Sequence, residues 1–271
     1  MDEFQLPEIQ FPREDPAATF LAAQSRMTSQ LDLSIVVPAF NEERRLPQAL
    51  QRIHEYLAVR PFRAEVIIVD DGSTDGTAKL VEQARRKYPE VRLLSNGRNR
   101  GKGFSVRHGM MQACGEIALF TDVDLSAPIE EADKLIAKVR DDHWDGAIGS
   151  RAINRALINV HQSRVRELAG IIFNRFVRIV TGLHFADTQC GFKAFRRSEA
   201  RIIFEQQRIE GFGFDPEILF LARRHRLSVV EVPVRWAHDS ATKVRVFLDS
   251  FRMFFDLFRI RWNGCVGRYP R

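Results

Sequence analysis

Carboxylates gathered in short clusters, and one lysine set between glycines, are the residues of this 271-residue chain best suited to chemistry. Asp122-Val-Asp124 follows directly on the apolar run Ile117–Thr121. Alternating acids at such a position can reach one divalent cation, and hard oxygen ligands suit Mg2+ or Mn2+. That ion can bridge a diphosphate and stabilise the charge it gains as a leaving group. The same acid pair also occurs in helix caps and solvated turns, but its place behind a buried strand favours the metal reading. Asp70-Asp71-Gly72-Ser73 allows two roles at once, one side chain capping the following helix and one carboxylate accepting hydrogen bonds from a nucleobase N–H. Pro38-Ala-Phe-Asn-Glu-Glu43 forms a third acidic segment. In Asn99-Arg-Gly-Lys-Gly103 the lysine resembles that of a phosphate loop, but the spacing fails. Only three residues separate Gly97 from Gly101, Gly103 follows the lysine, and Val106 replaces the third glycine of a dinucleotide fingerprint. ATPase and dehydrogenase chemistry therefore lose their main support.

Cations mark a second region. Arg151 closes Ile148-Gly-Ser-Arg151, and Arg164 and Arg166 open the next helical pattern. Guanidiniums bind phosphate through paired hydrogen bonds, so these residues could seat an anionic acceptor; the plainer alternative is a solvated basic helix end. Asp187-Thr-Gln-Cys-Gly-Phe-Lys193 reads as a polar loop in which Cys190 is a packed thiol, since no partner histidine follows from spacing. Trp236-Ala-His-Asp-Ser-Ala-Thr-Lys243 reads as a loop with His238 as a surface polar residue.

These segments lie at the ends of an alternating pattern. Short β-rich runs at Leu33–Val37, Glu65–Val69, Val91–Ser95, Ile117–Thr121 and Gly146–Gly149 alternate with helical spacing at Leu46–Leu57, Thr77–Tyr88, Phe104–Ala113 and Glu130–Arg140. The alternation predicts an α/β fold, a mostly parallel sheet with helices on both faces. Ligands of such sheets bind beyond the carboxyl ends of the strands, where the acidic clusters fall. After Arg151 come a long amphipathic helix with Val165, Leu168, Ala169, Ile172, Phe173, Phe176, Ile179 and Val180 on one stripe, a polar loop, a helix at Pro216–His225 and a strand at Ser228–Val234. The last helix, Val246–Trp262, gathers Phe247, Phe251, Phe254, Phe255, Phe258 and Trp262. Two fates are open to that stripe: packing on the sheet or another subunit, or lying in an anionic lipid interface with Arg252, Arg259 and Arg261.

Composition narrows the class. With 45% hydrophobic and 28% charged residues the chain has a core, which excludes bulk disorder, and three scattered cysteines exclude a disulfide scaffold. No apolar stretch approaches the roughly 18–20 residues that cross a bilayer, and Met1-Asp2-Glu3-Phe4 does not begin a signal peptide. The expectation is a cytoplasmic protein, with peripheral contact at the cytoplasmic membrane face as the alternative in which the last helix meets lipid. The net charge is +6, yet residues 1–30 carry five acids against two bases and 243–271 seven bases against two acids. RNA binding is not supported, because no aromatic-and-basic recognition motif occurs and the clustered acids would repel phosphate. The expected organisation is a loosely held arm at 1–30, a catalytic domain at 31–245 and a C-terminal amphipathic helix at 246–271.

Val37-Pro-Ala-Phe-Asn-Glu-Glu43, Val69-Asp-Asp-Gly-Ser-Thr-Asp-Gly-Thr77, Asn99-Arg-Gly-Lys-Gly103 and Asp122-Val-Asp124 resemble the family 2 glycosyltransferases of GT-A fold. Asp187-Thr-Gln-Cys-Gly-Phe-Lys193, Phe214-Asp-Pro-Glu217 and Glu231-Val-Pro-Val-Arg-Trp236 are similar to the dolichyl- and polyprenyl-phosphate β-glucosyltransferases within it, and the resemblance runs from about Leu33 to Trp262. It implies a Rossmann-like, mostly parallel sheet and an inverting, metal-dependent hexose transfer from a nucleotide sugar, UDP-glucose first and GDP-mannose second, to a lipid phosphate or alternatively to a hydroxyl. Pro38, Ala39, Glu42, Asp71 and Lys102 would then line the donor pocket, and Asp122 and Asp124 would hold Mg2+ or Mn2+ on the diphosphate. Arg151 and Arg166 match positions that seat the acceptor phosphate, Lys243 matches a mobile loop over the donor, and Asp215 sits where relatives place a catalytic carboxylate.

Overall fold

The apolar runs form strands because nearly every side chain in them is covered on one face or the other. The computed structural model describes residues 31–160, 164–237 and 246–270, with 159, 164–167 and 246–250 described through their backbone alone. The expected arm at 1–30, as well as His238 and Lys243, lies outside the described residues.

Strands β1 (Leu33–Ala39), β2 (Ala64–Asp70), β3 (Val91–Ser95), β4 (Ile117–Phe120), β5 (Gly146–Ser150), β7 (Lys193–Arg196) and β8 (Val229–Pro233) form one sheet in the order β3-β2-β1-β4-β7-β5-β8. All neighbours run parallel except β7, which is antiparallel to both β4 and β5. Two short strands, β6 (Ile158–Val160) and β9 (Trp236–Ala237), pair separately. Period-two alternation sends Ile35, Val37, Ile68 and Leu119 to one face and Val36, Ile67, Val69 and Phe120 to the other. The first face is packed by helices α1 (Leu46–Ala58), α2 (Thr77–Ala84) and α4 (Ala132–Arg140), through residues such as Leu50, Ile53, Val81 and Leu135.

The second face carries α3 (Lys102–Gln112), α5 (Arg164–Thr181), α6 (Arg197–Gln206), α7 (Phe214–Arg224) and α8 (Val246–Cys265). Helix α3 lies so close to β1 that a Cβ on Gly109 would collide with Val36, so only glycine fits there. Helix α3 begins at Lys102, two residues before the expected start, and α2 ends at Ala84 rather than Tyr88.

The element pair β7–α6, at residues 193–206, departs most from the sequence reading, which left this stretch without regular structure. Its antiparallel entry starts β7 at the same edge where β4 ends, with Lys193 opposite Phe120. That inversion carries the loop 187–192 into the centre of the functional edge. Helix α8 buries Leu257 and Ile260 in the core and turns Phe251, Phe255, Phe258 and Trp262 outward. These four side chains therefore do not pack on the sheet. Among the described residues no helix is long and apolar enough to cross a membrane.

Candidate active site

At the ends of β1 and β2 the acids are tied into the protein. Gly72 sits at φ +71°, and a Cβ there would strike the Arg98 backbone, so the turn after β2 requires glycine. That turn lets Asp71 reach across to the β3–α3 loop. Its Oδ1 accepts from Asn96 Nδ2 at 2.8 Å and Arg100 N at 2.9 Å, and its Oδ2 from Gly101 N at 2.8 Å. Asp71 thus fixes the backbone just before Lys102. Glu42 is buried and pairs through both oxygens with Arg45, at 2.7 and 2.6 Å, while its own N–H donates to Thr77 Oγ1 at 2.7 Å. The first turn of α2 is capped by Asp75, which accepts from Thr77 N at 3.0 Å, and by Glu43, which accepts from Gly76 N at 3.0 Å. The expected capping by Asp70 or Ser73 does not occur; Asp70 instead accepts from Ser73 N at 3.2 Å within the turn. Pro38 and the buried Ala39 end β1 beside this layer.

The centre of the edge holds acids facing lysines. Lys102, the first residue of α3, places Nζ 2.5 Å from Asp122 Oδ1. Burial works against its charge, but Asp122, Asp215 and Asp124 together hold the ammonium above the ordinary lysine range. Asp124, two residues on, accepts from Ser126 N at 2.9 Å; burial first, and then the neighbouring Asp122, push its carboxyl above the usual range. The loop 187–192 closes this corner, since a Cβ at Gly191 would overlap the Asp122 carboxylate. Asp215, second residue of α7, is ion-paired with Lys193, which is fully buried and also donates to Cys190 O at 2.6 Å. The Lys193 ammonium lies 5.5 Å from the Phe120 ring centroid. Burial raises the Asp215 carboxyl above its usual range despite both lysines.

Asp122 and Asp124 fit a hard divalent ion by chemistry, since both offer carboxylate oxygens from one strand end. Among the described residues no group of three or more His, Cys, Asp or Glu could enclose a metal alone. Two protein carboxylates with the remaining positions left to phosphate and water is how Mg2+ is held in phosphate-transfer sites.

On the β5 side, Arg151 forms a two-pronged pair with Asp187, Nε to Oδ2 at 2.6 Å and Nη2 to Oδ1 at 2.9 Å, and its N–H donates to Oδ2 at 3.1 Å. The Asp187 turn is itself held by Glu231, which accepts from Ala186 N at 2.8 Å and Asp187 N at 2.7 Å. Burial opposes ionisation of Asp187, but Arg151 overrides it and holds the carboxyl below the usual range. Nη1 of Arg151 takes no partner among the described residues, and the guanidinium lies 5.4 Å from the Trp236 ring centroid. Cys190 is buried, and burial, with Asp187 next, pushes its thiol up to about 12, as befits a packed, inert cysteine. The side chains of Arg164 and Arg166 lie outside the described residues, as does Lys243.

Lys102, Asp122, Asp124 and Asp215 thus meet at one point, Asp71 and Glu42 frame it on one flank, and Arg151 stands on the other. Sequence reasoning missed Lys193 and Asp187 as the partners that fix Asp215 and Arg151. The lysine ending Asp187–Lys193, followed by the apolar Ala194-Phe195, was the available signal for a buried cation.

Residues 34–202 match the family model described as glycosyl transferase family 2. The chain is 37% identical over 251 residues to the dolichyl-phosphate beta-glucosyltransferase of Drosophila melanogaster, covering 88% of this chain and 77% of that one. It is 34% identical over 241 residues to the dolichyl-phosphate beta-glucosyltransferase ALG5D of Trichomonas vaginalis, covering 85% and 73%. Among solved structures, it is similar to the glucosyl-3-phosphoglycerate synthase of Mycobacterium tuberculosis in complex with Mn2+, uridine diphosphate and glucosyl-3-phosphoglycerate, with TM-score 0.57, 19% identity and coverage of 97% and 86%.

Proposed function

The chain belongs to glycosyl transferase family 2 and is a glycosyltransferase of GT-A fold, and we propose that it transfers glucose from UDP-glucose to the phosphate of a dolichyl or polyprenyl lipid, with inversion. The observation that carries the reading is the charge cluster of Lys102, Asp122, Asp124, Asp215 and Lys193 at the edge where β4 ends and β7 begins. The named relatives support the sugar and the lipid phosphate. The neighbour holding Mn2+ and uridine diphosphate supports the donor and the metal.

A divalent ion on Asp122 and Asp124 would supply charge stabilisation for the departing diphosphate. The Asp71-held turn presents Lys102 to the same diphosphate, as a second positive charge set by the α3 N-terminus. A phosphate acceptor is already anionic near neutral pH, so its attack needs positioning rather than a strong base. Asp215 agrees with that requirement, because its carboxylate is committed to buried Lys193. Arg151, fixed by Asp187 and Glu231, offers its outer edge to the acceptor phosphate, with Arg166 and Lys243 as the further proposed contributors.

The lipid must be reached at a membrane surface. Leu168, Ile171, Ile172, Phe176 and Ile179 of α5 are exposed beside the outward aromatics of α8, and Phe176 meets Phe254 edge to face at 5.5 Å between centroids. Exposed Arg175, Arg178, Arg252, Arg259 and Arg261 accompany them. An apolar face flanked by arginines complements an anionic lipid interface, which we propose as its occupant.

Incubation with UDP-[3H]glucose, Mn2+ and polyprenyl phosphate is the test. Radiolabel is expected in an acid-labile lipid phosphate sugar, lost on chelation and restored by Mn2+. Labelling of polyprenol instead of its phosphate, or transfer that ignores chelation, would overturn the reading.

A further inference from the structure

The segment that follows α8 returns to the core at Tyr269. Tyr269 is fully buried, its hydroxyl donating to Glu217 Oε1 at 2.6 Å and accepting from Asn263 Nδ2 at 3.3 Å. Arg224 Nε fastens the same residue by its carbonyl at 3.0 Å. Glu217 has no accessible surface and lies on α7 two residues beyond Asp215, so one turn of α7 serves the reaction centre and the tail together. Besides Tyr269 it accepts from Arg208 N at 3.0 Å and, through Oε2, from Ile209 N at 2.8 Å. A buried carboxylate with several donors is fixed in place, because losing one leaves its charge poorly solvated.

The loop that Glu217 holds is the floor of the lysine turn. Gln207 Nε2 donates to Gly103 O at 2.8 Å, and Phe104 N donates to Glu210 O at 3.1 Å. A Cβ on Gly101 would lie 2.5 Å from Glu210 O, and one on Gly103 would lie 2.6 Å from Ile209 O. Arg100 adds an ion pair to Glu210. With no room for even a Cβ between the two segments and two hydrogen bonds joining them, a shift of residues 208–210 is transmitted to residues 101–104 and the Lys102 they carry.

We propose that Tyr269 and Glu217 are positioning residues for the donor turn: the tail hydroxyl fixes the Glu217 carboxylate, Glu217 fixes the 208–210 loop, and that loop seats Lys102. Nucleotide affinity then depends on the segment that directly follows the amphipathic helix α8. The inference rests on the reading that the Lys102 turn meets the donor diphosphate.

The test compares two deletions of the same chemical group. Tyr56 on α1 is also buried and donates to a carboxylate, Asp133, at 2.8 Å, but it takes no part in the lysine turn. UDP binding in Mn2+ is measured by calorimetry for the unmodified chain, Tyr269→Phe and Tyr56→Phe. Tyr269→Phe is expected to weaken UDP binding about tenfold and raise KM for UDP-glucose similarly, with kcat at saturating donor within about twofold. Tyr56→Phe is expected to lower Tm comparably and leave UDP affinity unchanged. Amide hydrogen exchange without nucleotide gives a second measurement, with faster exchange across residues 101–104 expected in Tyr269→Phe alone. Equal UDP affinity in Tyr269→Phe and the unmodified chain, or the same loss in Tyr56→Phe, overturns the positioning role while the donor reading stands. Failure of the unmodified chain to bind UDP overturns the donor reading itself.

Discussion

At the ends of β1 and β2, Asp71 gives its oxygens to two backbone amides and an asparagine, and Glu42 gives both of its own to Arg45. Where β4 ends and β7 begins, Asp122 and Asp215 face the side-chain ammoniums of Lys102 and Lys193 instead. The difference is one of replaceability. A carboxylate bonded to main-chain N–H groups cannot leave without unmaking the loop it holds. A lysine is a compact charge on a flexible stem, so the Lys102 ammonium can exchange one anionic partner for another without moving the turn that carries it. The first region is therefore a rigid frame, and the second a centre of paired charges whose side chains are able to rearrange.

The largest effect that tests this contrast is on turnover. Asp124→Asn is expected to lower the transfer rate about 10²–10³-fold, the usual scale for losing one electrostatic contact to a transition state. Its stability at neutral pH should be equal or higher. Burial and Asp122 raise the folded pKa of Asp124, so its ionised form is a cost to folding above the unfolded pKa, and a neutral amide removes that cost. Asp71→Asn should behave oppositely, losing Tm and nucleotide affinity together, because one of its oxygens becomes a donor facing the N–H groups it now accepts from. Kinetics and thermal melts on both variants check the pair. If Asp124→Asn keeps its turnover, the centre of the edge is not where the reaction occurs.

A smaller effect concerns the lysine that never meets solvent. Lys193→Met leaves Asp215 buried beside an apolar side chain, and removing one partner of a buried pair costs about 3–5 kcal/mol. Lys193→Met combined with Asp215→Leu should recover most of that stability. Denaturant midpoints of the two variants measure the difference. A single-variant loss below about 1 kcal/mol would mean that Asp215 is not held as a charge, and the contrast between frame and centre would lose one of its two lysines.

Much of this arrangement was legible beforehand, and the reasons differ by element. Strands β1, β2 and β4 announce themselves because strands buried on both faces must be apolar throughout, and the carboxyl edge then locates Asp71, Asp122 and Asp124 without further help. Strand β7 does not, since Lys193-Ala-Phe-Arg196 has four residues with a cation at each end. Its structure comes from pairing with β4 and β5, which no local propensity encodes. The partnership of Arg151 with Asp187 spans 36 residues and was hidden for the same reason. In α8 the aromatic side was visible but its direction was not: Leu257 and Ile260 form the buried side, and the larger rings face out.

That outward face supplies the smallest effect and extends the contrast to the molecule's surface. Side chains at the reaction edge are held by named partners, whereas Phe255, with 55% of its surface exposed, and Trp262, with 63%, gain little from the fold. Replacing both with serine should change unfolding free energy by no more than about 0.5 kcal/mol, the range for surface positions. It should leave transfer to a short, water-soluble acceptor phosphate unchanged. Co-sedimentation with anionic vesicles should fall several-fold, roughly up to tenfold, since a loss of about 1.4 kcal/mol at the interface is a factor of ten. Raising the salt should weaken vesicle binding of the unmodified chain further, because Arg252, Arg259 and Arg261 add an electrostatic part that ions screen. Undiminished sedimentation with a change from dimer to monomer would assign the face to a second copy of the chain. The lipid would then have to reach Arg151 by another side of the protein.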